Sequence, residues 1–454
     1  MAGAHEDQQA QIGAMLDAPG AWRRRALAPV LLGVLMLFDS WDSVMIAFIM
    51  PTLSREWGLE PIAMGALMSS GYAGQLVGAI ALGALAERWG RKPVYSAAIV
   101  VMSLLSVACA AAQTPEQLGA LRFVQGLAIG GAVPVCASYI NEIAPTKTRG
   151  RFFSVFQFLM VSGYAAAAVT SALIIEQVGW RVMFVLGAAP LLVLPFAMAL
   201  LPESPRWLAR IGRPDAALAA IRKLGGAAEA ALAATPAAAN AAARTRFADL
   251  FARDVRWTVA TLVALWFLTS LVNFGLTNWA PSIYVSVFHI PVAEALRFAS
   301  ISVIVILVAP IVLGALMDKV GRRPLAIFGT LVGGAVLLSL LAMPQGEVGL
   351  IVAAVVLGHT GIGIGTIILW PFSAETFPTR IRAMALGLCS AAARTASMLT
   401  PLLVGGLIAS TGSVQPVFAI FGVLGLGVAA IWAFAARETK GVRVDEVRAG
   451  ASAQ

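Results

Sequence analysis

Runs of about 20 mostly apolar residues recur along this chain, and a helix of that length crosses a bilayer core about 30 Å thick. Short clusters of charged residues, Gly and Pro separate them. Read by this pattern, membrane-spanning helices cover 26–50, 63–86, 94–112, 117–140, 152–175, 181–201, 257–286, 294–317, 324–343, 348–372, 383–409 and 416–436. A polar stretch, 202–256, interrupts the series after the sixth helix and reads as a linker between two halves. Its Ala-rich part, 226–243, is expected to be helical or partly disordered. The expected fold class is an all-α membrane protein of twelve transmembrane helices in two pseudo-symmetric six-helix bundles, 26–201 and 257–436. Tails at 1–25 and 437–454 flank them.

The first 25 residues are polar and end in Arg23-Arg24-Arg25. They are too long and too acidic for the start of a signal peptide. The run after them carries two aspartates and no small-residue cleavage pattern, so it is expected to be retained as the first helix. Composition agrees with the pattern: 59% of residues are hydrophobic and 12% charged, against about 45–50% and about 25% in soluble domains.

The net charge of +9 raises the question of nucleic acid, and its distribution answers it. With a cytoplasmic N-terminus, 27 of the 32 Lys and Arg fall in tails and loops on one side. Three (Arg55, Arg181 and Arg297) fall on the other, and Arg122 and Arg394 lie inside helices. This positive-inside bias places both termini in the cytoplasm and accounts for the charge without a nucleic-acid partner. The membrane is expected to be the cell (cytoplasmic or inner) membrane. Cys109, Cys136 and Cys389 all sit in apolar runs, and His5, His289 and His359 are scattered. Neither a disulfide framework nor a metal site is expected, and no cofactor.

The halves repeat. Gly83-Ala84-Leu85-Ala86-Glu87-Arg88-Trp89-Gly90-Arg91-Lys92 follows the second helix, and Gly314-Ala315-Leu316-Met317-Asp318-Lys319-Val320-Gly321-Arg322-Arg323 follows the eighth, offset by 231. Glu142 to Arg149 follows the fourth and Glu375 to Arg382 the tenth, offset by 233. Duplicated halves place a substrate site at the repeat interface near the midplane.

These residues resemble the major facilitator superfamily, whose loop signature G-x-x-x-D/E-R-x-G-R-R/K is present in both halves. Arg122-Phe123-Val124-Gln125-Gly126 resembles its helix-four motif, R-x-x-Q-G. Pro202-Glu203-Ser204-Pro205-Arg206-Trp207-Leu208 resembles the segment after helix six of sugar porters and organic ion transporters. Glu87 stands where Asp is usual. The fifth helix lacks the Gly-Pro pattern of many drug–proton antiporters, reading Val161-Ser162-Gly163-Tyr164-Ala165 instead. The resemblance covers about 26–440 and implies the major facilitator fold and alternating access.

Asp39 and Asp42 are the sharpest chemical feature. A carboxylate at a helix centre costs about 2.5–3.5 kcal/mol on insertion scales. Their i, i+3 spacing puts both on one face, where desolvation and mutual repulsion disfavour two charges. The pair is expected to bind protons as a coupled unit. Arg122 lies at a depth within about 5 Å of Asp42, counted at 1.5 Å per residue. Proton-linked sugar porters, which Phe38-Asp39-Ser40-Trp41-Asp42 partly resembles, pair a helix-one aspartate with a helix-four arginine. The same segment resembles the D-G-F/Y-D motif of aromatic-acid and niacin-type symporters, with Ser40-Trp41 in the middle. A fixed salt bridge that only orients helices is the alternative.

Arg394 sits mid-helix and suits an anionic group held by two parallel hydrogen bonds. Organic anion transporters carry an arginine at the matching place, which implies an anionic substrate. A structural partner to Asp39 or Asp42 is the alternative. Trp41, Tyr72, Gln75, Gln157, Tyr164, Asn273, Asn278, Trp279, His359 and Trp370 supply aromatic walls and amides suited to a small ring-bearing ligand. For each alone, packing is the alternative. Gly126-xxx-Gly130 and Gly361-xxx-Gly365 follow no strand and read as close helix packing. Glu87, Arg91, Glu142 and Arg149, with Asp318, Arg322, Glu375 and Arg382, form two sets of loop charges expected to latch the cytoplasmic side.

The expectation is a monomeric, proton-coupled symporter in the lipid bilayer. It would import a small organic anion, in particular an aromatic or heteroaromatic carboxylate. Asp39, Asp42 and Arg122 handle the proton and Arg394 anchors the anion. A sugar or polyol porter is the first rival and a non-transporting ligand sensor the second. No nucleophile–base constellation points to an enzyme.

Overall fold

The computed structural model describes residues 11–17, 22–145, 148–226, 247–343, 347–378 and 381–440. Within them the chain is helical. Span 1 is Trp22–Trp57, span 2 Pro61–Trp89, span 3 Arg91–Ala110, span 4 Pro115–Ile143 and span 5 Arg149–Val178. Span 6 is made of two helices, Arg181–Leu186 and Pro190–Leu200. Spans 7 to 12 are Arg256–Ser286, Val292–Val320, Arg322–Ser339, Val348–Thr376, Arg382–Thr411 and Gln415–Phe434. Ten of the twelve are long and apolar enough to cross a membrane by length and composition. Spans 2 and 9 complete the set; span 9 is short and opens on Arg322 and Arg323, which lower its hydropathy.

Several spans outrun the apolar runs that announce them, while spans 3, 9 and 12 end two to four residues short of theirs. Span 1 starts four residues before 26 and ends seven beyond 50, since the polar flanks continue the helix once the apolar centre is helical. Span 6 was expected as one helix over 181–201. Its chain turns at 187–189, ahead of Pro190, which starts a new helix at the first-turn position where a missing amide costs nothing. The expected linker 202–256 contains ordered helices at Pro205–Arg210, Pro214–Lys223 and Phe247–Phe251. Ser204 caps the first, accepting from the Trp207 amide at 3.1 Å. The Ala-rich stretch lies, beyond residue 226, outside the described residues.

The residues separate into two compact units. One comprises Met1–Ser43, Ala73–Ala167 and Arg181–Arg244; the other comprises Val44–Tyr72, Ala168–Trp180 and Thr245–Gln454. The unit border thus runs through spans 1, 2 and 5. In the second unit, the hairpin joining spans 1 and 2 packs on later helices. A Cβ on Gly405 would strike the backbone of Pro61, and one on Gly65 the backbone of Pro401. Tyr72 donates to Asn278 Oδ1 at 3.2 Å and meets the Phe274 ring at 5.7 Å. Close packing also explains the glycine runs: a Cβ on Gly130 would lie 2.5 Å from Gln75 Cα in the first unit.

Spans 2 and 3 join through Gly90 alone and spans 8 and 9 through Gly321 alone, with φ of 103° and 111°. Only glycine takes such a conformation without strain. The second glycine of the repeated loop signature is therefore a backbone requirement.

Candidate functional site

In the first unit, span 1 delivers Asp42 and span 4 delivers Arg122 into one buried cluster. The exposures are 0% and 2%. Arg122 Nη1 meets Asp42 Oδ2 at 2.5 Å and donates to Gln125 Oε1 at 2.8 Å. Its Nη2 donates to the Asp42 backbone oxygen at 3.0 Å. Gln125, one turn along span 4, donates back to Asp42 Oδ1 at 2.9 Å and to the Met102 carbonyl at 3.2 Å. Ser106 of span 3 donates to the Phe184 carbonyl at 2.8 Å and to Asp42 Oδ1 at 3.5 Å.

This arrangement has a definite electrostatic character. A buried carboxylate is tolerable only when its charge and lone pairs are met. Here a guanidinium meets the charge, and an amide and a hydroxyl meet the second oxygen. Protonating Asp42 would leave Arg122 with an uncompensated charge in the same dry space, which is how a proton can bias a conformational equilibrium. In the sequence Gln125 appears only as part of the R-x-x-Q-G motif, with no role given to it, although that spacing sets Arg122 and Gln125 on one helix face. Ser106 carries no such signal.

Asp39 is 3% exposed, with Tyr95 and Cys136 as electrostatic neighbours. Trp41, expected near substrate, is buried and donates its indole N–H to the Met183 carbonyl at 3.3 Å. Gln75 donates to Ser43 Oγ at 3.4 Å. Gln157 and Tyr164 on span 5 are half-buried.

The second unit holds the other candidates. Asn278, Trp279 and His359 are sealed at 0%, 2% and 2% exposure. His359 Nε2 lies 3.2 Å from Thr277 Oγ1, and Thr277 donates to the Asn273 carbonyl at 2.8 Å. Asn273 and Arg394 are half-buried, and Trp370 is exposed. Tyr72 and Asn278 are brought together directly, as described above.

The loop charges form two matching clusters. In the first unit, Arg91 pairs with Glu87 at 2.6 Å and with Glu142 at 2.9 Å, and Arg210 also pairs with Glu87. In the second, Arg322 pairs with Glu375 at 3.1 Å and with Asp318 at 3.4 Å. Arg382 donates to the Phe377 carbonyl at 3.1 Å. The side chain of Arg149 lies outside the described residues.

Each cluster has a further acid that the candidate set lacks. Glu203 accepts the amides of Arg91 at 3.1 Å and Lys92 at 3.2 Å, capping span 3. Glu438 accepts those of Arg322 at 3.0 Å and Arg323 at 2.9 Å, capping span 9. Burial pushes the Glu203 carboxyl above its ordinary value, against the pull of the Ser204, Lys92 and Arg91 amides. Burial also opposes the charge on Glu438, yet the amides of Lys440, Arg322, Arg323 and Thr439 together hold it below its ordinary value. The two acids stand 235 residues apart. Extending the repeat search to that offset would have found Glu438 from Glu203.

Residues 35–450 match the family described as Sugar (and other) transporter. The chain is 28% identical over 421 residues to a niacin transporter of Acinetobacter baylyi, covering 91% of this chain and 94% of that one. It is 31% identical over 399 residues to a gallate transporter of Pseudomonas putida, covering 87% and 88%. An inward open conformation of the xylose transporter from E. coli superposes with a TM-score of 0.73 at 20% identity, covering 93% of this chain and 98% of that one.

Proposed function

From the premise that this chain belongs to the Sugar (and other) transporter family of the major facilitator superfamily, and is thus a multi-pass membrane transporter and not an enzyme, we propose that it is a proton-coupled symporter for a small aromatic or heteroaromatic carboxylate. The observation that carries the reading is the buried Asp42–Arg122 pair with Gln125 and Ser106 around it. A charge pair so closed to water is costly unless it is used, and its use here is to bind and release a proton. Relatives that carry niacin and gallate, both aromatic carboxylates, support the substrate class. Arg394 anchors the carboxylate, and Asp39 shares proton handling with Asp42. Both termini face the cytoplasm of an inner membrane, from the distribution of basic residues. The bundles that rock are 26–201 and 257–436, and the loop charges latch the cytoplasmic side while the carrier faces out.

The test is uptake of nicotinate, benzoate and xylose into proteoliposomes. Nicotinate or benzoate uptake should rise with an inward proton gradient. Asp42→Asn should abolish gradient-driven accumulation while keeping exchange of internal for external substrate. Equal uptake with and without the gradient sinks the symport reading. The family's sugar members favour a second reading, a sugar or polyol porter, and uptake of xylose alone would select it.

A further inference from the structure

The repeated loop charges follow even-numbered spans. The turns after spans 1, 5 and 7 therefore lie at the other end of the helices, the outer end in the orientation given above. The second unit gathers three of these tips: the hairpin of spans 1 and 2, the end of span 5 through Trp180, and the turn from span 7 to span 8. The first two belong to one half of the sequence and the third to the other.

A hydrogen bond joins the halves where span 8 begins. That helix starts at Val292 behind Pro291, which has no side-chain acceptor for the first-turn amides. Glu176 of span 5, 117 residues earlier, supplies one: its Oε1 accepts the Ala293 amide at 3.0 Å. A carboxylate at a helix N-terminus also gains from the helix dipole. Both partners are braced from behind. Trp180, 1% exposed, donates its Nε1–H to Glu56 Oε2 at 2.7 Å and sets its ring against Trp57 at 5.5 Å. Across the contact, the Ile290 amide donates to the Tyr284 carbonyl at 3.0 Å, and the Tyr284 ring meets Phe298 of span 8 at 6.4 Å. Tips held in this way do not bend to keep the Glu176 bond when the halves part.

We propose that Glu176 is an outer latch: its carboxylate caps span 8 while the carrier is closed at this end, and it lets go each time the halves open there. This rests on the alternating access of the symport reading. A carrier must interconvert between access states of similar free energy, so one helix cap present in only one of them tilts the balance. Pro291 is part of the device. A serine or aspartate in its place would cap span 8 locally and leave Glu176 nothing to hold.

The experiment is pulsed electron–electron distance measurement on the full-length protein in nanodiscs. The native cysteines are buried, so spin labels go on Arg55→Cys and Ser410→Cys, both exposed near the outer tips of spans 1 and 11. Wild type should show a short and a long distance, closed and open at this end. Glu176→Ala should raise the long-to-short ratio about three- to tenfold, the worth of one helix cap. Glu176→Gln keeps the acceptor and loses the charge, so it should raise the ratio by less. Pro291→Ser should raise both the melting temperature and the ratio, because span 8 then caps itself. A merely structural Glu176 would move melting and leave the ratio alone. A change of less than about twofold in Glu176→Ala, or no rise in Pro291→Ser, overturns the latch. Positions 176 and 291 are exposed, so these variants should fold. Gradient-driven nicotinate uptake by the same proteins is read alongside. Uptake that persists with an unmoved ratio sinks the latch and leaves the symport reading standing; absent uptake in wild type sinks the symport reading, while the ratio still decides the latch.

Discussion

The Asp42–Arg122 pair makes the sharpest quantitative prediction. Arg122→Met removes the 2.5 Å partner of Asp42 Oδ2 and leaves a carboxylate of 0% exposure with two neutral donors, Gln125 and Ser106. Those donors satisfy lone pairs but cannot neutralise a charge. Breaking a buried pair from one side costs about 3–5 kcal/mol. Asp42→Asn should cost a similar amount, because it strands the guanidinium. The double variant Asp42→Asn, Arg122→Met removes both charges and keeps most of the volume, so it should lie within about 2 kcal/mol of wild type. The coupling energy is then at least about 4 kcal/mol, or about three powers of ten in the unfolding equilibrium. Denaturant unfolding of the purified protein in mixed micelles, followed by helical circular dichroism, measures it for all four proteins. Additivity of the two single losses to within about 0.5 kcal/mol would refute the reasoning, because an interaction made at 2.5 Å inside the unit must couple.

The helix caps predict opposite responses to acid. Glu438 is held below its ordinary value of 4.5, so its stabilisation is full above pH 4.5 and is lost as pH falls through the lowered native value. Glu203 is held above 4.5, so its share is full below pH 4.5 and is lost as pH rises through the raised native value. In melting curves taken between acid and neutral pH, Glu438→Gln should flatten the acid-side loss and Glu203→Gln should steepen it; a shift of the opposite sign for either variant would contradict its assignment. Gly90→Ala forces a side chain to φ of 103° and drives its Cβ into the Glu203 carboxylate, so it should cost about 1–3 kcal/mol in unfolding, and a neutral result would count against the backbone argument. Arg394→Ala should weaken benzoate binding by more than about tenfold, about 1.4 kcal/mol, and unchanged affinity in titration would return Arg394 to a structural role.

Much of this protein was legible before any fold was seen. The length of the apolar runs set twelve spans, because the thickness of a bilayer leaves a helix little choice. The repeated loop charges set the duplication, while the partners of Arg91 and Arg322, Glu142 and Glu375, came from the fold. The aspartates of span 1 and the arginine of span 4 were conspicuous because a membrane penalises charge, and their matched depth made a pair possible. These are local or periodic properties, written into the order of residues.

What needed the tertiary structure were the relations that no spacing encodes. Trp41, Asn278 and Trp279 looked like ligand-facing polar and aromatic groups. Each proved buried, because whether a helix face meets solvent or a neighbour is decided by the packing of other helices. Ser106 joined the Asp42 cluster from a third helix, and Glu438 capped span 9 from beyond the last one. The unit border crossing spans 1, 2 and 5 was likewise invisible. It depends on glycine-lined close approaches, such as Gly65 against Pro401 and Gly405 against Pro61, where short-range contact energy is set by two chain segments more than three hundred residues apart. Sequence order determines which groups a membrane will tolerate at each depth; only the folded packing determines which of them meet.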